Sequence, residues 1–290
     1  MLTKGMEEIK KTGDRIAKVI ARAGLASRRG AEKMISDGRV TINGMLISTP
    51  ALNVLSSDKI AVDEKPLPSA ETTRLWKYNK PIGLVTTEKD EKGRKAVFDN
   101  LPSNLPRVMS VGRLDLNSEG LLLLTNDGEL KRTLELPSTG WTRKYRVRVN
   151  GIPTLERLNR LKDGITVDGE KFRPMAITID RQQGANAWLT ISIKEGKNRE
   201  IRRAMNELGF KVNRLIRISY GPFRLKELKS SEVEEIKLSV LKSQLGNLFN
   251  LRTDKKEPST QIKKTVTRKK KSLPEAGNPS KRISKIKLSK

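Results

Sequence analysis

Residues 111–130 read VGRLDLNSEGLLLLTNDGEL, and this stretch decides how the larger part of the chain folds. It predicts a strand that enters a polar turn, an apolar strand over residues 121–125 and then a second turn. Asp115 lies in the first turn, between Arg113 and Asn117. Loops held between buried strands often present reactive groups, although an Asp in a turn can also serve only to bond nearby backbone amides.

Strand and helix patterns continue on both sides of this stretch. Periodicity predicts further strands over residues 82–87, 107–112, 143–149, 175–180, 187–194 and 213–219, and helices over 128–135, 154–162, 198–208 and 231–245. Regular alternation of strands and helices is missing. We therefore expect an α+β domain over residues 75–250, built on a mixed, mainly antiparallel sheet flanked by helices.

A smaller module precedes this domain over residues 14–63. Apolar residues at helical spacing predict two helices, and Asn43-Gly44 predicts a tight hairpin turn in a small sheet. Residues 64–74, EKPLPSAETTR, contain two prolines and few large apolar side chains, which is typical of a linker. The sequence therefore predicts two domains joined by a short connection.

The charge of the chain points to a polyanionic partner. Of its 290 residues, 60 are Lys or Arg and 33 are Asp or Glu, which gives a net charge of +27. Nucleic acid is favoured over an anionic membrane because the basic residues run through the whole chain. No apolar run is long enough to cross a bilayer, and the first residues lack a hydrophobic signal core. We therefore expect a cytoplasmic protein with no membrane partner.

The last segment, residues 252–290, is rich in Lys, Ser, Thr and Pro. This composition predicts a disordered basic tail. A merely solvated tail is one interpretation, and weak contact with RNA is the other. RNA contact is favoured because cations near a polyanion release condensed counterions.

The absence of cysteine and histidine restricts the chemistry that is open to this chain. It removes disulfides and thiolate nucleophiles, together with the commonest general base and the commonest transition-metal ligand. Neither a phosphate-binding loop nor a glycine-rich dinucleotide motif is present. We therefore expect no metal and no cofactor, with any reaction relying on Asp, Glu, Lys, Arg, Tyr, Ser or Thr.

The N-terminal run DRIAKVIARAGLASRRGAEKMISDGRVTING resembles the S4 RNA-binding module. Basic residues on helices usually form a solvated face, so their spacing alone indicates little. The resemblance implies that the paired helices dock structured RNA. The residues expected to contact RNA are Lys18, Arg22, Ser27, Arg28, Arg29, Lys33 and Arg39.

Three segments of the larger domain resemble the RsuA/RluB-type ribosomal RNA pseudouridine synthases. GRLD, followed by SEGLLLLTNDG, matches the family motif, which implies that Asp115 is the catalytic carboxylate. In RKYRVRVNG, a Tyr on the apolar side of a strand is ordinarily a core residue. The family's K-x-Y-x-V strand instead implies that Tyr145 packs against the target base and helps to move its proton.

The third segment is EGKNREIRRAMNELGF, residues 195–210, which predicts a helix with arginines on its polar side. Surface charge or phosphate contact is the plain interpretation. The family pattern implies that Arg202 pairs with Asp115, with Arg199 and Arg203 as second choices for this role. We also expect Arg113, Arg199 and Arg203 to contact RNA. Glu200 stands where many relatives carry Gln.

The resemblance implies an enzyme that isomerises a ribosomal RNA uridine to pseudouridine after extruding the base. EKGRKAVFDNLP is closer to the branch that modifies the large subunit, which implies a 23S-type substrate. We expect a monomer that acts on rRNA or on a ribosome assembly intermediate. A non-catalytic rRNA-binding assembly factor is the alternative, and a methyltransferase is disfavoured because no cofactor loop is present. The carboxylate can attack C1′ or remove the C2′ proton, and both routes stay open.

Overall fold

A computed structural model describes residues 13–88 and 90–248. The predicted tail over residues 252–290 lies outside these ranges. In the described part of the chain, no helix is long and apolar enough to span a bilayer.

The N-terminal module contains the two predicted helices packed beside a small sheet. Helix α1 spans Ile16–Arg22 and helix α2 spans Arg28–Ser36. The strands are β1 (Asp14–Arg15), β2 (Val40–Ile42), β3 (Met45–Leu46), β4 (Asn53–Val54), β5 (Ile60–Val62) and β6 (Lys65–Pro66). Strands β2, β3, β5 and β6 form one antiparallel sheet, while β1 pairs with β4.

Local sequence explains both the start of α2 and the hairpin. The Ser27 side chain accepts a hydrogen bond from the backbone N–H of Gly30 at 3.0 Å, which caps the helix. Asn43 and Gly44 both have positive φ, the backbone that a two-residue hairpin turn requires. The predicted hairpin is therefore confirmed.

A nine-stranded mixed sheet forms the centre of the larger region. Its strands are β7 (Leu75–Lys80), β8 (Met109–Val111), β9 (Glu119–Thr125), β10 (Arg143–Asn150), β13 (Ala176–Gln183), β14 (Asn186–Ile193), β15 (Val212–Tyr220), β16 (Phe223–Arg224) and β17 (Val233–Glu235). They lie in the order β13-β14-β10-β15-β9-β7-β17, with β8 paired to β9 and β16 paired to β15. A separate hairpin joins β11 (Ile165–Val167) to β12 (Glu170–Phe172). The predicted α+β class with a mainly antiparallel sheet is confirmed.

Four helices complete this region: α3 (Gly128–Glu135), α4 (Leu155–Asn159), α5 (Glu200–Glu207) and α6 (Leu238–Leu245). One face of the sheet packs against α4 and α5, for example through Leu158 and Met205. The other face packs against α3 and α6 through Leu134 and Leu241. Burial of these apolar side chains on both faces supplies most of the drive to fold.

One strand pair in the sheet is parallel, and it joins distant parts of the chain. Strand β9 meets β15 where Gly120 pairs with Arg217. Gly120 has a φ of +99°, and a Cβ atom there would overlap the carbonyl oxygen of Arg217. Only glycine permits this backbone conformation together with so close an approach of two strands.

Two of the predicted elements are wrong. The predicted strand over residues 82–87 is an irregular segment with a single bridge between Val85 and Ala96, because Gly83 has a φ of +89° and turns the chain. The predicted helix over residues 231–245 begins only at Leu238 and is preceded by strand β17.

The structure also adds elements that the sequence did not predict. Strand β7 covers residues 75–80, at the start of the larger domain. Lys77 and Lys80 are both buried in it, so apolar and polar residues do not alternate. The predicted linker, residues 64–74, contains β6, and its Thr73 is buried where its hydroxyl donates to Asp127 at 2.6 Å.

Candidate active site

Asp115 lies in the loop between β8 and β9, as the sequence predicts. Hydrogen bonds from several other segments hold the backbone of this loop. The Thr86 hydroxyl donates to the Leu114 carbonyl oxygen at 2.8 Å, and the backbone N–H of Gly83 donates to the Leu116 carbonyl oxygen at 2.8 Å. At the loop's start, the N–H of Gly112 donates to the Glu135 carboxylate at 2.6 Å. These contacts hold the Asp115 backbone in one position.

Lys80 also holds the backbone of the Asp115 loop in place. Its ammonium group donates to the carbonyl oxygens of Asp115 at 3.2 Å and Ser118 at 2.8 Å, and to that of Pro81 at 3.0 Å. The side chain is fully buried. Burial lowers the pKa of the Lys80 ammonium to about 8, while the charges of Asp115 and Glu119 oppose this change. A buried cation therefore lies directly under the candidate catalytic loop.

Asp115 opens onto a cavity of about 460 Å³, a size that is common for small-ligand sites. Tyr145 and Arg199 line the same cavity, so the structure brings these three predicted residues together. Arg113 also lines it. The other charged side chains in its wall are Glu135, Arg143, Lys194, Glu195, Lys197, Glu200 and Arg217. Cations outnumber carboxylates, which suits a phosphate-bearing ligand.

Tyr145 forms part of the cavity wall from strand β10. Its side chain is 7% exposed, and it pairs across the sheet with Ile191 and Arg217. No hydrogen bond joins its hydroxyl to another described residue. A flat aromatic ring beside an open cavity can stack on a base, and its hydroxyl is available to a ligand.

Arg217 is a cavity residue that the sequence analysis missed. It is 2% exposed, and its Nε donates to the Leu121 carbonyl oxygen at 2.6 Å. Its Nη2 atom is buried and has no hydrogen-bond partner among the described residues. An available signal was the alternation of VNRLIRISY, which places Arg217 on the same face as Leu215. An arginine on the buried face of a strand indicates a functional site more strongly than the exposed arginines around it.

Arg202 lies at the base of the Asp115 loop, outside the cavity lining. Its Nη2 donates to the carbonyl oxygen of Asn117 at 2.6 Å, and its Nη1 donates to that of Val212 at 3.0 Å. No salt bridge within 4.0 Å joins Arg202 and Asp115 in the described structure. Burial and the charge of Arg199 lower the Arg202 pKa, while Asp115 opposes this. Arg202 therefore lies near Asp115, but its guanidinium group binds the carbonyl oxygens of Asn117 and Val212.

The other two arginines of this segment have different surroundings. Arg199 has a φ of +48° just before α5 and lines the cavity. Arg203 instead forms salt bridges with Asp168 and Glu170 and lies over the Phe172 ring. It does not line the cavity, since its guanidinium is bound to the β11–β12 hairpin. An RNA contact by Arg203 would require some of these bonds to open.

The predicted RNA contacts of the N-terminal module fall into two groups. Lys18 and Arg22 are bound to Asp14 and also to Glu129 of α3. Arg39 is paired with Asp63 at 2.6 Å. Ser27 serves as the helix cap described above. The side chains that are exposed without a salt bridge among the described residues are Arg28, Arg29 and Lys33.

Two carboxyl groups meet in the cavity wall. Glu200 is 3% exposed, and its Oε2 accepts from the backbone N–H of Lys197 at 3.1 Å. Burial, together with the neighbouring carboxyl of Glu195, raises the pKa of Glu200 to about 8. The raised pKa favours the protonated form of Glu200, and a protonated carboxyl resembles the Gln side chain in shape and in having a donor.

The described residues contain no cluster of three or more Asp and Glu side chains that could hold a metal ion. The functional groups around the cavity are carboxylates, guanidinium and ammonium groups, the phenols of Tyr145 and Tyr220, and the Ser118 hydroxyl. These groups can hold a phosphate backbone, stack on a base and supply one carboxylate to a sugar.

A cationic cavity, together with a module that exposes basic residues on a helix, suits an enzyme that modifies RNA, because the backbone must be held while one nucleotide enters. The family model for RNA pseudouridylate synthase matches residues 74–207, and that for the S4 domain matches residues 14–60. The chain belongs to the RNA pseudouridine synthase family and is an enzyme of that class. The family resemblance seen in the sequence is thus confirmed.

Known proteins agree with this assignment. An uncharacterised RNA pseudouridine synthase of Rickettsia bellii is 48% identical over 222 residues, which cover 77% of this chain and 96% of the relative. Ribosomal large subunit pseudouridine synthase B of Xanthomonas campestris is 39% identical over 259 residues, covering 82% of this chain and 51% of that protein. A crystal structure of a pseudouridylate synthase aligns with a TM-score of 0.58 and 26% identity, covering 80% of this chain and 100% of that one.

Proposed function

We propose that the enzyme converts one uridine of large-subunit ribosomal RNA to pseudouridine, with Asp115 as the catalytic carboxylate. The observation that carries this proposal is that Asp115 and Tyr145 line one cationic cavity. The ribosomal substrate is supported by relatives named as ribosomal large subunit pseudouridine synthase B. An assembly factor without activity would have no need of this arrangement.

The proposed reaction is an isomerisation within one nucleotide. The N1–C1′ bond breaks, the uracil turns, and C5 bonds to C1′. The C5 proton then leaves, and N1 carries a proton in the product. Asp115 either attacks C1′ or removes the C2′ proton. Both routes need a carboxylate at a fixed distance from the sugar, and the hydrogen-bonded loop provides such a position.

The neighbours of Asp115 have separate roles in this proposal. The target uridine leaves its stack and enters the cavity, where Tyr145 stacks on the base and offsets part of the unstacking free energy, on the order of a few kcal/mol. Arg217 contributes positive charge beside the bound nucleotide, because it lines the cavity and its buried Nη2 atom has no hydrogen-bond partner among the described residues. Arg113 and Arg199 hold the adjacent phosphates, and Arg202 positions the Asp115 loop.

The N-terminal module supplies a second RNA contact. We place the boundary between the domains within residues 64–74, with residues 14–63 docking structured rRNA through Arg28, Arg29 and Lys33. The enzyme is proposed to act as a monomer in the cytoplasm, where it meets rRNA or an assembly intermediate.

The test compares wild type, Asp115→Asn and Asp99→Asn on rRNA from cells that lack the enzyme. Asp99 is an exposed carboxylate outside the cavity, so its variant is a matched control. Chemical mapping should show one new pseudouridine in 23S rRNA with wild type and Asp99→Asn, and none with Asp115→Asn. Asp115→Asn should keep its RNA affinity, because phosphate contacts set most of it. Turnover by Asp115→Asn, or modification only in 16S rRNA, would overturn the proposal.

A further inference from the structure

The reverse face of the catalytic sheet carries an aromatic side chain among arginines. On strand β10 the side chains alternate, so Tyr145 and Val147 are buried while Lys144 and Arg146 are exposed on the opposite face. Trp188 of β14 is half-buried on that exposed face. It pairs directly with Arg148 on one side and with Arg181 of β13 on the other.

These side chains form a row across four neighbouring strands. Arg181, Trp188, Arg148 and Arg214 follow one another in register on β13, β14, β10 and β15. At about 4.8 Å between strands, the row spans roughly 14 Å. The Arg146 guanidinium lies 4.8 Å from the centre of the Trp188 ring. The aromatic ring is thus in contact with arginine on the open side of the sheet.

The charges on this face are poorly compensated. Arg148 and Arg214 stand directly opposite each other, and like charges in this position destabilise a sheet. Glu119 neutralises Arg214. In the part of the chain that the structure describes, no salt bridge neutralises Lys144, Arg146, Arg148 or Arg181. Asp180 also lies nearby, and its carboxylate accepts from the Thr190 hydroxyl at 2.9 Å.

The cluster of Lys144, Arg146, Arg148, Arg181 and Trp188 is called the reverse-face patch here. We propose that this patch binds a single-stranded segment of the substrate RNA, outside the nucleotide that enters the cavity. Arginines contact phosphates, and Trp188 with Arg146 supplies a flat surface on which a base stacks. RNA is favoured over an acidic protein segment because a stacking platform accompanies the cations, and because the enzyme's substrate is RNA.

The patch cannot serve the target nucleotide itself. Tyr145, which lines the cavity, points to the opposite side of β10 from Lys144 and Arg146. An RNA that occupies both surfaces must therefore pass around the sheet, so the patch selects long or structured substrates over a minimal hairpin. This inference rests only on the RNA substrate of the enzyme and not on the role of Asp115.

The test uses a fluorescein-labelled 12-nucleotide oligoadenylate, which offers the cavity no uridine. Anisotropy titrations of the full chain compare wild type with Arg146→Glu/Arg148→Glu and with Arg132→Glu/Arg160→Glu. Arg132 and Arg160 are exposed and lie outside both surfaces, so the control makes the same change in net charge. The patch variant should bind at least fivefold more weakly, with a salt slope reduced by about 1.4, whereas the control should change less than the patch variant in both.

A second measurement locates the contact. Trp76 is buried, and Trp141 packs against the rings of Tyr220 and Phe223, so Trp188 is the tryptophan that belongs to the patch. Oligoadenylate should quench the tryptophan fluorescence of wild type, and Trp188→Phe should remove this quenching. Circular dichroism and melting temperature show that each variant is folded. Asp115→Asn should bind oligoadenylate like wild type, which separates this proposal from the catalytic one.

Three outcomes would overturn the inference. Equal weakening by the two double variants would show only the effect of net charge. Unchanged quenching in Trp188→Phe would place the RNA elsewhere. Polyglutamate that binds wild type as tightly as oligoadenylate does, and loses binding in the patch variant, would make this a protein-docking surface.

Discussion

The guanidinium of Arg202 donates to the carbonyl oxygen of Asn117, two residues after Asp115, at 2.6 Å. The same side chain is bonded to Val212 at the start of β15. Arg202 therefore connects the candidate catalytic loop to a strand that comes much later in the sequence. Its position explains how Arg202 can influence Asp115 without lining the cavity itself.

We expect Arg202→Met to slow the chemical step about 100-fold, because displacement of a reacting group by about 1 Å has an effect of this size. RNA affinity should stay within about threefold of wild type, because Arg202 binds carbonyl groups of the protein and its loss removes no contact with an RNA phosphate. Single-turnover rates and filter binding measure the two quantities. Arg203→Met is the matched control, because Arg203 contacts the β11–β12 hairpin instead of the loop. A larger rate loss in the control would contradict the positioning role.

Tyr145→Phe separates stacking from proton transfer. The ring is retained, so RNA affinity should be unchanged, while loss of a general acid–base group should slow turnover by about 100-fold or more. Tyr145→Ala should lose affinity as well, because the stacking surface is gone. Stopped-flow turnover and equilibrium binding on the same rRNA fragment check both. Full activity of Tyr145→Phe would show that the hydroxyl has no part in the reaction.

Glu200→Gln tests the protonated carboxyl in the cavity wall. In the folded protein the pKa of Glu200 is raised to about 8, whereas the ordinary pKa of a Glu side chain is 4.5. Between these values the folded state binds more protons than the unfolded state, so the free energy of unfolding falls as pH rises. Gln does not ionise, so the free energy of unfolding of the variant does not fall in this way. The variant should therefore be as stable as wild type near pH 4.5 and more stable than wild type at pH 8.

Melting temperatures of wild type and Glu200→Gln from pH 4.5 to pH 8.5 measure this difference. The gap should widen steadily with pH. Glu234→Gln provides a control, since Glu234 is an exposed carboxylate on β17 outside the cavity. A gap that is constant with pH would show that Glu200 is ionised in the folded protein.

Glu129→Gln tests the contact between α3 and the N-terminal module. Glu129 accepts from Arg22 at 2.6 Å and also bonds Lys18. These side chains are partly exposed, so the free energy of unfolding should change by less than about 1 kcal/mol. Lys18 and Arg22 lose one competing anion, so RNA affinity should rise about two- to threefold. Denaturant unfolding and RNA titrations check this, and a fall in affinity would contradict it.

Short motifs allowed much of the site to be predicted. The position of Asp115 between β8 and β9 follows from an apolar strand next to a polar turn. The burial of Tyr145 follows from the alternation along β10, whereas its role in the site is implied by the family's K-x-Y-x-V strand. Both signals are local, so they can be interpreted without the rest of the chain.

The missed features depend on distant contacts. Strand β7 was overlooked because Lys77 and Lys80 interrupt its apolar pattern, yet Lys80 is stabilised by carbonyl groups of a loop 35 residues away. The alternation of VNRLIRISY indicates that Arg217 is buried, but its hydrogen bond to Leu121, 96 residues earlier, cannot be predicted from that segment. No local pattern carries these pairings. The same limit explains the error at residues 231–245, where pairing of β17 with β7 replaces part of the predicted helix.

The parallel junction of Gly120 with Arg217 has a consequence for synthesis of the protein. A nascent chain that ends before residue 217 can form the Asp115 turn, but it lacks the strand that completes the cavity beneath it. Catalytic competence therefore arises only after nearly the whole domain has left the ribosome exit tunnel. Truncated products of interrupted translation would carry the N-terminal module without a complete cavity.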